Sequence, residues 1–212
     1  MSEKEENSRP GSGEKRHEPE ENPLYNFRHL ALIFAGLIAS KEYTLRTGEE
    51  VLLKTVPVDP RDMFRGDYVV LNYDISRLDL TEVPAESADF EYDDRVYLAL
   101  ELEDGYGVPK KIYRTPPEGE LYIKGTVKSI TYDYEPTAEE VPHEEPPVPR
   151  RTSVSKIRVE YGIESYFVPE GRGREIETQQ WKGKRVDVRV VLDRQGNAII
   201  KDLLIDGEKV AF

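Results

Sequence analysis

The sequence predicts a mainly β protein: duplicated antiparallel strand units packed as a sandwich-like domain, preceded by one short N-terminal helix. Three observations carry that expectation. Beyond Gly48, apolar residues alternate with polar ones at the two-residue period of a half-buried strand. The alternating blocks recur in the same order in both halves of the chain. Turn residues punctuate the blocks, and a proline-rich stretch separates the halves, as expected of packed sheets.

Taken in order, residues 1–22 contain no aromatic or branched aliphatic side chain and are dominated by Glu, Lys, Ser, Gly and Pro. Such a segment has too little apolar surface to offset its ordering entropy, so a disordered acidic tail is expected. Residues 24–43 follow as an apolar helix. Its centre, Leu30 to Ala39 (LALIFAGLIA), is the only strongly apolar run. These ten residues fall short of the roughly twenty that a bilayer core requires. Extended over Tyr25 to Tyr43, the helix is about 28 Å long. Tyr25, Phe27 and Tyr43 then form an aromatic belt, with Arg28 and Lys41 snorkelling at the two ends. The residues leave two readings open, a membrane anchor and a packed helix. A cleaved signal peptide fits neither the acidic tail nor Leu37, which stands where a small residue is expected for cleavage after Ala39. The flanking charges are too balanced to choose a side of the membrane.

The first β unit is expected over residues 44–134. In GDYVVLNYDI, Val69, Leu71, Tyr73 and Ile75 share one face; in RVYLALEL, Val96, Leu98, Leu100 and Leu102 do the same. A third strand covers residues 120–130, with a possible bend at Gly125, and Asp104-Gly105 supplies a turn. Residues 135–151 hold a Pro/Glu-rich linker: five prolines and five glutamates in EPTAEEVPHEEPPVPR suit an extended, solvated segment. The second unit, 152–212, answers the first. Ile157, Val159, Tyr161 and Ile163 match Val69, Leu71, Tyr73 and Ile75, and Val186, Val188, Val190 and Leu192 match Val96 to Leu102. The strand AIIKDLL then stands against the one around Ile123, and Asp206-Gly207 offers a last hairpin turn.

Composition removes several chemistries. The net charge of −12 disfavours a nucleic-acid binder, which neutralises phosphates with clustered Lys and Arg. The absence of cysteine excludes disulfides, thiolate nucleophiles and zinc–thiolate sites. The three histidines, His17, His29 and His143, fall in the tail, beside the apolar run and in the linker, so none suits a triad or a metal site. No cofactor motif is found. Gly171-Arg172-Gly173-Arg174 reads as a basic loop for an anion or, more simply, a surface turn.

Asp59, Asp62 and Asp67 are close in sequence and form a possible carboxylate cluster for a hard cation, although their spacing matches no established calcium loop. The competing reading is ordinary turn residues capping the backbone. The same stretch carries a resemblance. Gly66-Asp67-Tyr68-Val69-Val70-Leu71-Asn72-Tyr73 reads as Gly-Asp-Tyr-x-x-Leu-x-Tyr without departure, so Gly66, Asp67, Tyr68, Leu71 and Tyr73 are the motif positions. The chain resembles the bacterial GDYXXLXY family, of unknown function, from about Lys41 to the C-terminus. Further matching stretches are Glu42 to Gly48, Pro57 to Asp62 and Tyr166 to Gly171. The resemblance implies a single N-terminal membrane anchor ahead of this domain, often with a polytopic membrane protein encoded nearby, and no known activity.

A fainter likeness is to membrane-anchored signal peptidases. Met63, the stretch from Arg65 to Val70, and Tyr122-Ile123-Lys124 are similar to their motifs in order. Asp62 stands where the nucleophilic Ser belongs, so Lys124 as a base has nothing to activate. The leading expectation is therefore a non-enzymatic, membrane-tethered β-domain that binds or supports another membrane or envelope protein. Tyr68, Tyr73 and Tyr161 are its residues to examine, although Tyr73 and Tyr161 lie on the apolar face and read first as core. The alternative is a carboxylate- or metal-dependent hydrolase around Asp59, Asp62 and Asp67, with a signal-peptidase-like β fold.

Overall fold

The computed structural model describes residues 23–57, 68–135, 150–169, 176, 179 and 182–211. The expected tail, nearly all of the Pro/Glu-rich linker, Asp59, Asp62, Met63, Gly66, Asp67 and the basic loop at 171–174 lie outside the described residues. The chain separates into two units, one up to Ala39 and one from Ser40 onward.

Helix α1 runs from Pro23 to Thr47, beyond the expected end at residue 43. Pro23 opens it, where a missing N–H is harmless and the fixed φ suits a first turn. At its end Gly48 N–H donates to Thr44 O at 2.8 Å, and the hydroxyls of Thr44 and Thr47 donate to Ser40 O and Tyr43 O. Every residue from 28 to 43 is exposed. No helix among the described residues is long and apolar enough to cross a membrane.

From Ser40 onward the structure is mainly β. Ten strands join in one mixed sheet: β1 (Glu49–Val56), β3 (Asn72–Tyr73), β4 (Arg77–Asp79), β5 (Arg95–Glu103), β6 (Tyr106–Tyr113), β7 (Tyr122–Glu135), β8 (Arg150–Glu160), β10 (Val186–Leu192), β11 (Ala198–Ile205) and β12 (Glu208–Lys209). A small second sheet pairs β2 (Tyr68–Val70) with β9 (Ser165–Phe167). The long path is β12-β11-β10-β1-β6-β5-β7-β8-β4, antiparallel except where β1 meets β6. The pairing also closes on itself. The end of β1 pairs with β3, β3 continues through a short 3-10 turn (Asp74–Ser76) into β4, and β4 pairs with β8. The ring β1-β6-β5-β7-β8-β4/β3 so surrounds a core containing Leu53, Tyr73, Leu98, Ile112, Ile123 and Val159.

Local chemistry explains the turns. Asp104-Gly105 and Asp206-Gly207 each carry two positive φ values (52° and 85°; 51° and 86°), the backbone of a two-residue hairpin matched to strand twist. Both were expected as turns.

Several expectations need correction. The strand expected over Gly66 to Ile75 is broken in its described residues: β2 pairs with β9 and β3 with β1, the chain kinks at the 3-10 turn, where Asp74 accepts Ile75 N–H at 2.7 Å, and β4 beyond it pairs with β8. Its alternation nevertheless survives as burial, with Val69, Leu71, Tyr73 and Ile75 at most 3 % exposed. Leu102 is exposed because it sits beside the Asp104-Gly105 turn at the tip of the β5–β6 hairpin, past a register shift at Ala99/Leu100. Neither the sandwich nor the duplication emerges from the strand pairing. The halves interleave, β1 with β10 and β7 with β8. In the second half β11 follows the β10 hairpin, and the strand in that place in the first half is β6, which the sequence reading passed over, rather than the one around Ile123.

Candidate functional site

Two of the family-like stretches, the motif and the one that begins at Tyr166, meet in their described residues. Leu71 N–H donates to Glu164 O at 2.8 Å, continuing the β2–β9 ladder that pairs Tyr68 with Phe167 and Val69 with Tyr166. Beyond it, Tyr73 Oη donates to Ile163 O at 2.6 Å, and Tyr161 Oη donates to Ile75 O at 2.6 Å. Each buried tyrosine thus reaches across to the carbonyl two residues past the other, a reciprocal clasp. Glu164 adds a further tie by accepting Tyr161 N–H on Oε1.

The environment of both phenols is apolar. Burial first, and the nearby Glu164 carboxylate second, push the Tyr73 hydroxyl far above its ordinary range. Tyr161 is raised in the same way, with Asp74 adding to the effect. Both rings therefore stay neutral and donate through the whole physiological range. Gly125 of β7 gives Tyr161 its seat: a Cβ there would lie 2.3 Å from Val159 Cγ1 and 2.9 Å from the Tyr161 ring. Tyr73 and Leu71, at 1 % and 3 % exposed, are core residues, so the described part of the motif holds two distant chain segments together.

A second polar cluster lies where β1, β6 and β10 run together. Tyr106 Oη donates to Asp187 Oδ2 at 2.8 Å, and Arg185 Nε approaches the same oxygen at 2.8 Å. Lys54 Nζ and the Arg185 guanidinium stand 5.2 and 5.7 Å from the Tyr106 ring centroid. Burial first, then the bond to Asp187, raise the Tyr106 hydroxyl. Asp187 is buried and charge-paired through Oδ2 alone, and its Oδ1 is buried without a hydrogen-bond partner.

The described surface also carries a groove of about 930 Å³, walled by residues 40–49, 117–122 and 192–199. Its floor is ordered by a tightly bonded turn. Asp193 accepts Gln195 N–H, Asn197 N–H and Asn197 Nδ2 at 2.7–2.8 Å. Lys124 Nζ donates to Asn197 Oδ1, and Lys124 N–H donates to Gly196 O at 2.8 Å. Gly196, at φ 74°, lies flat against Tyr122, whose hydroxyl donates to Arg194 O at 3.0 Å. Tyr97 meets the Tyr122 ring edge-on at 5.7 Å between centroids. Burial works to raise the Asp193 carboxyl, but the Asn197 and Gln195 bonds and the Lys124 charge outweigh it and hold it low.

The sequence candidates distribute as follows. Tyr73, Leu71 and Tyr161 come together in the clasp. Tyr68 contributes its backbone to β2. Lys124 is bonded into the Asn197 turn and is no free base. Asp59, Asp62, Gly66 and Asp67 lie outside the described residues, as do His17 and His143, while His29 lies on the exposed part of α1. Among the described residues, no group of three or more His, Asp or Glu side chains is placed to hold a metal ion. Sequence reasoning missed the groove altogether; its only signal was Gln195-Gly196-Asn197, read as a turn.

A family model described as GDYXXLXY protein matches residues 30–203. The chain belongs to the GDYXXLXY family. The match takes in both tyrosines of the clasp, the groove's three walls and the whole apolar run in α1. No curated protein and no solved structure matches the chain. Within the GDYXXLXY motif itself, Leu71 and Tyr73 are structural: Leu71 fills the core, and Tyr73 closes it.

Proposed function

We propose that this GDYXXLXY protein is a binding module held at a membrane by α1, whose β-domain engages or supports another membrane or envelope protein without chemistry of its own. One observation carries the reading: Leu30, Leu32, Ile33, Phe34, Leu37 and Ile38 are each 51–70 % exposed on a single helix. Water does not favour such a surface, and an apolar patch of this kind marks a contact with lipid or protein. Burying the exposed part of six such side chains stabilises by on the order of 5–11 kcal/mol. A single myristoyl chain contributes about 5.5 kcal/mol and binds membranes only marginally, so the run supports attachment from that strength upward.

Geometry bounds the mode. The uninterrupted run is about 15 Å long against a hydrocarbon core of about 30 Å. Arg28 and Lys41 stand immediately outside it, where their stems reach the headgroups. Shallow insertion or a locally thinned bilayer suits those lengths. The non-catalytic half of the proposal draws on the clasp, because the motif hydroxyl of Tyr73 is committed to the Ile163 carbonyl.

Affinity purification of the full chain at native expression, from a mild detergent extract, tests the proposal. The expected result is a specific integral-membrane or envelope partner recovered in near-equal amount. Repeated recovery of the chain alone overturns it.

A further inference from the structure

We propose that the junction of β1 and β6 is a built-in opening point of the strand ring, held shut by a side-chain strap from Tyr106 on β6 across β1 to Asp187 on β10. The ring then has two states, closed as described above and open at this one seam.

Pairing locates the seam. The other junctions of the ring join seven residue pairs in β5–β6, five in β5–β7, eight in β7–β8, three in β4–β8 and two in β1–β3. Between β1 and β6 there is one pair, Leu52 with Tyr106, and it is parallel. Parallel pairing is slightly less stable per residue. Leu52 N–H donates to Gly105 O at 3.0 Å, on the exposed turn of the β5–β6 hairpin. Away from that pair the two strands find partners elsewhere, Thr55 and Val56 on β3 and Ile112 at Ala85. The backbone ladder therefore does less to close the ring here than at any other junction.

Side chains supply the closure. The Tyr106 hydroxyl donates to Asp187 Oδ2 at 2.8 Å, past β1, and Arg185 Nε holds the same oxygen at 2.8 Å. Lys54, the β1 residue opposite Asp187, keeps its ammonium 5.2 Å from the Tyr106 ring centroid. A hydrogen bond to a charged acceptor is the stronger kind, so this one contact is the main polar tie across the seam. On the core side Gly107 lies flat against β1, where a Cβ would stand 2.7 Å from Val51 Cγ1 and 3.4 Å from Leu53 Cδ2. The strap also works against itself. Asp187 is 1 % exposed, and its Oδ1 is buried without a hydrogen-bond partner. An unpaired oxygen on a buried charge favours any state that hydrates it. The residue that latches the seam thus gains from its release, and a short ladder at the same place gives an opening unit smaller than the whole domain.

Amide exchange of the full chain in detergent, followed residue by residue at low urea, reads the opening. Leu52 N–H faces β6, and strand alternation turns the Leu53 N–H toward β10. Leu52 should exchange at least about tenfold faster than Leu53 and with little dependence on urea, the mark of an opening smaller than unfolding. Tyr106→Phe should speed Leu52 about fivefold or more at the same shallow slope. Thiol labelling separates parting of the strands from fraying of the hairpin turn, because the chain has no cysteine of its own. Val51→Cys, on the core side of the seam, should label at least about tenfold faster than Val188→Cys in the equally buried core face of β10. Equal exchange at Leu52 and Leu53, a full unfolding slope at Leu52, exchange unchanged by Tyr106→Phe, or equal labelling of the two cysteines overturns the proposal.

Discussion

Removing one hydroxyl from the tyrosine clasp tests the claim that the described motif is structural. In Tyr73→Phe the ring volume is kept and only Oη is lost, leaving Ile163 O without its 2.6 Å donor in a buried setting. A buried carbonyl deprived of its partner costs about 1–3 kcal/mol, and we take about 2 kcal/mol because the bond is short and the residue 1 % exposed. Tyr161→Phe removes the reciprocal bond to Ile75 O and should cost a similar amount. Both bonds tie the same two segments, so the double variant should lose less than the sum, with a coupling of about 0.5–3 kcal/mol. Urea unfolding of the full chain in detergent, followed by circular dichroism, reads this as a lower midpoint at unchanged slope. A Tyr73→Phe loss below about 0.5 kcal/mol, the size of an ordinary surface change, refutes the clasp and returns Tyr73 to the list of binding residues.

Other outcomes follow from the same coordinates. Gly125→Ala drives a methyl to 2.3 Å from Val159 Cγ1 and 2.9 Å from the Tyr161 ring; overpacking of this kind costs about 1–3 kcal/mol, a fall of roughly 2–12 °C in Tm at this size, and an unchanged Tm by calorimetry contradicts the packing. Tyr73 and Tyr161 have folded pKa values raised above the unfolded value of about 10, so their contribution is complete below pH 10 and lost above it. Absorbance at 295 nm should show two tyrosines ionising only together with unfolding; their smooth early titration would falsify the burial argument. At the acid end, Asp79 is held at about 2, first by the Thr81 hydroxyl and N–H and then by Lys156. Its folded value lies below the unfolded one of about 3.9, so its stabilisation is present above pH 3.9 and disappears as pH falls toward 2. Burial raises Asp74 despite the Ile75 N–H bond, which gives the opposite sign there. Carboxyl NMR titration should find Asp79 near 2 and Asp74 above the ordinary range; the reverse order contradicts both environments. Gly196→Ala, placed at φ 74° with a Cβ 2.5 Å from the Tyr122 ring, should loosen the groove wall, seen as faster amide exchange at Lys124, whose N–H bonds to Gly196 O. Unchanged exchange there means the wall does not depend on that contact.

Much of this architecture was legible in the sequence, for identifiable reasons. Period-two alternation reports which face is buried, and it marked Val69, Leu71, Tyr73 and Ile75 correctly although the chain there bends rather than runs straight. Alternation carries no information on partner changes, so the break into β2, β3 and β4 was invisible. Strand β6 was passed over because Pro109 and the lysines at 110 and 111 mask its pattern; in the fold Pro109 sits opposite Leu100, beside the register shift where a missing donor is tolerated. The match of Tyr73 and Ile75 with Tyr161 and Ile163 was read as repetition, and in the structure these four residues are the members of the clasp. The groove was not legible, because its walls come from three polar segments separated by about 70 residues or more and joined only by the β1–β10 and β7 neighbourhoods. The carboxylates at 59, 62 and 67 lie outside the described residues, so the hydrolase alternative gains no geometry from the structure.

The central claim, attachment of the domain to a membrane through α1, is tested most directly by carbonate extraction of native membranes. Wild type is compared with a Phe34→Asp, Leu37→Asp variant, both sites being exposed on the helix. Wild type should stay with the membrane and yield its β-domain to protease from one side only, while the double variant moves to the supernatant. Wild type in the supernatant, or both proteins retained alike, contradicts it.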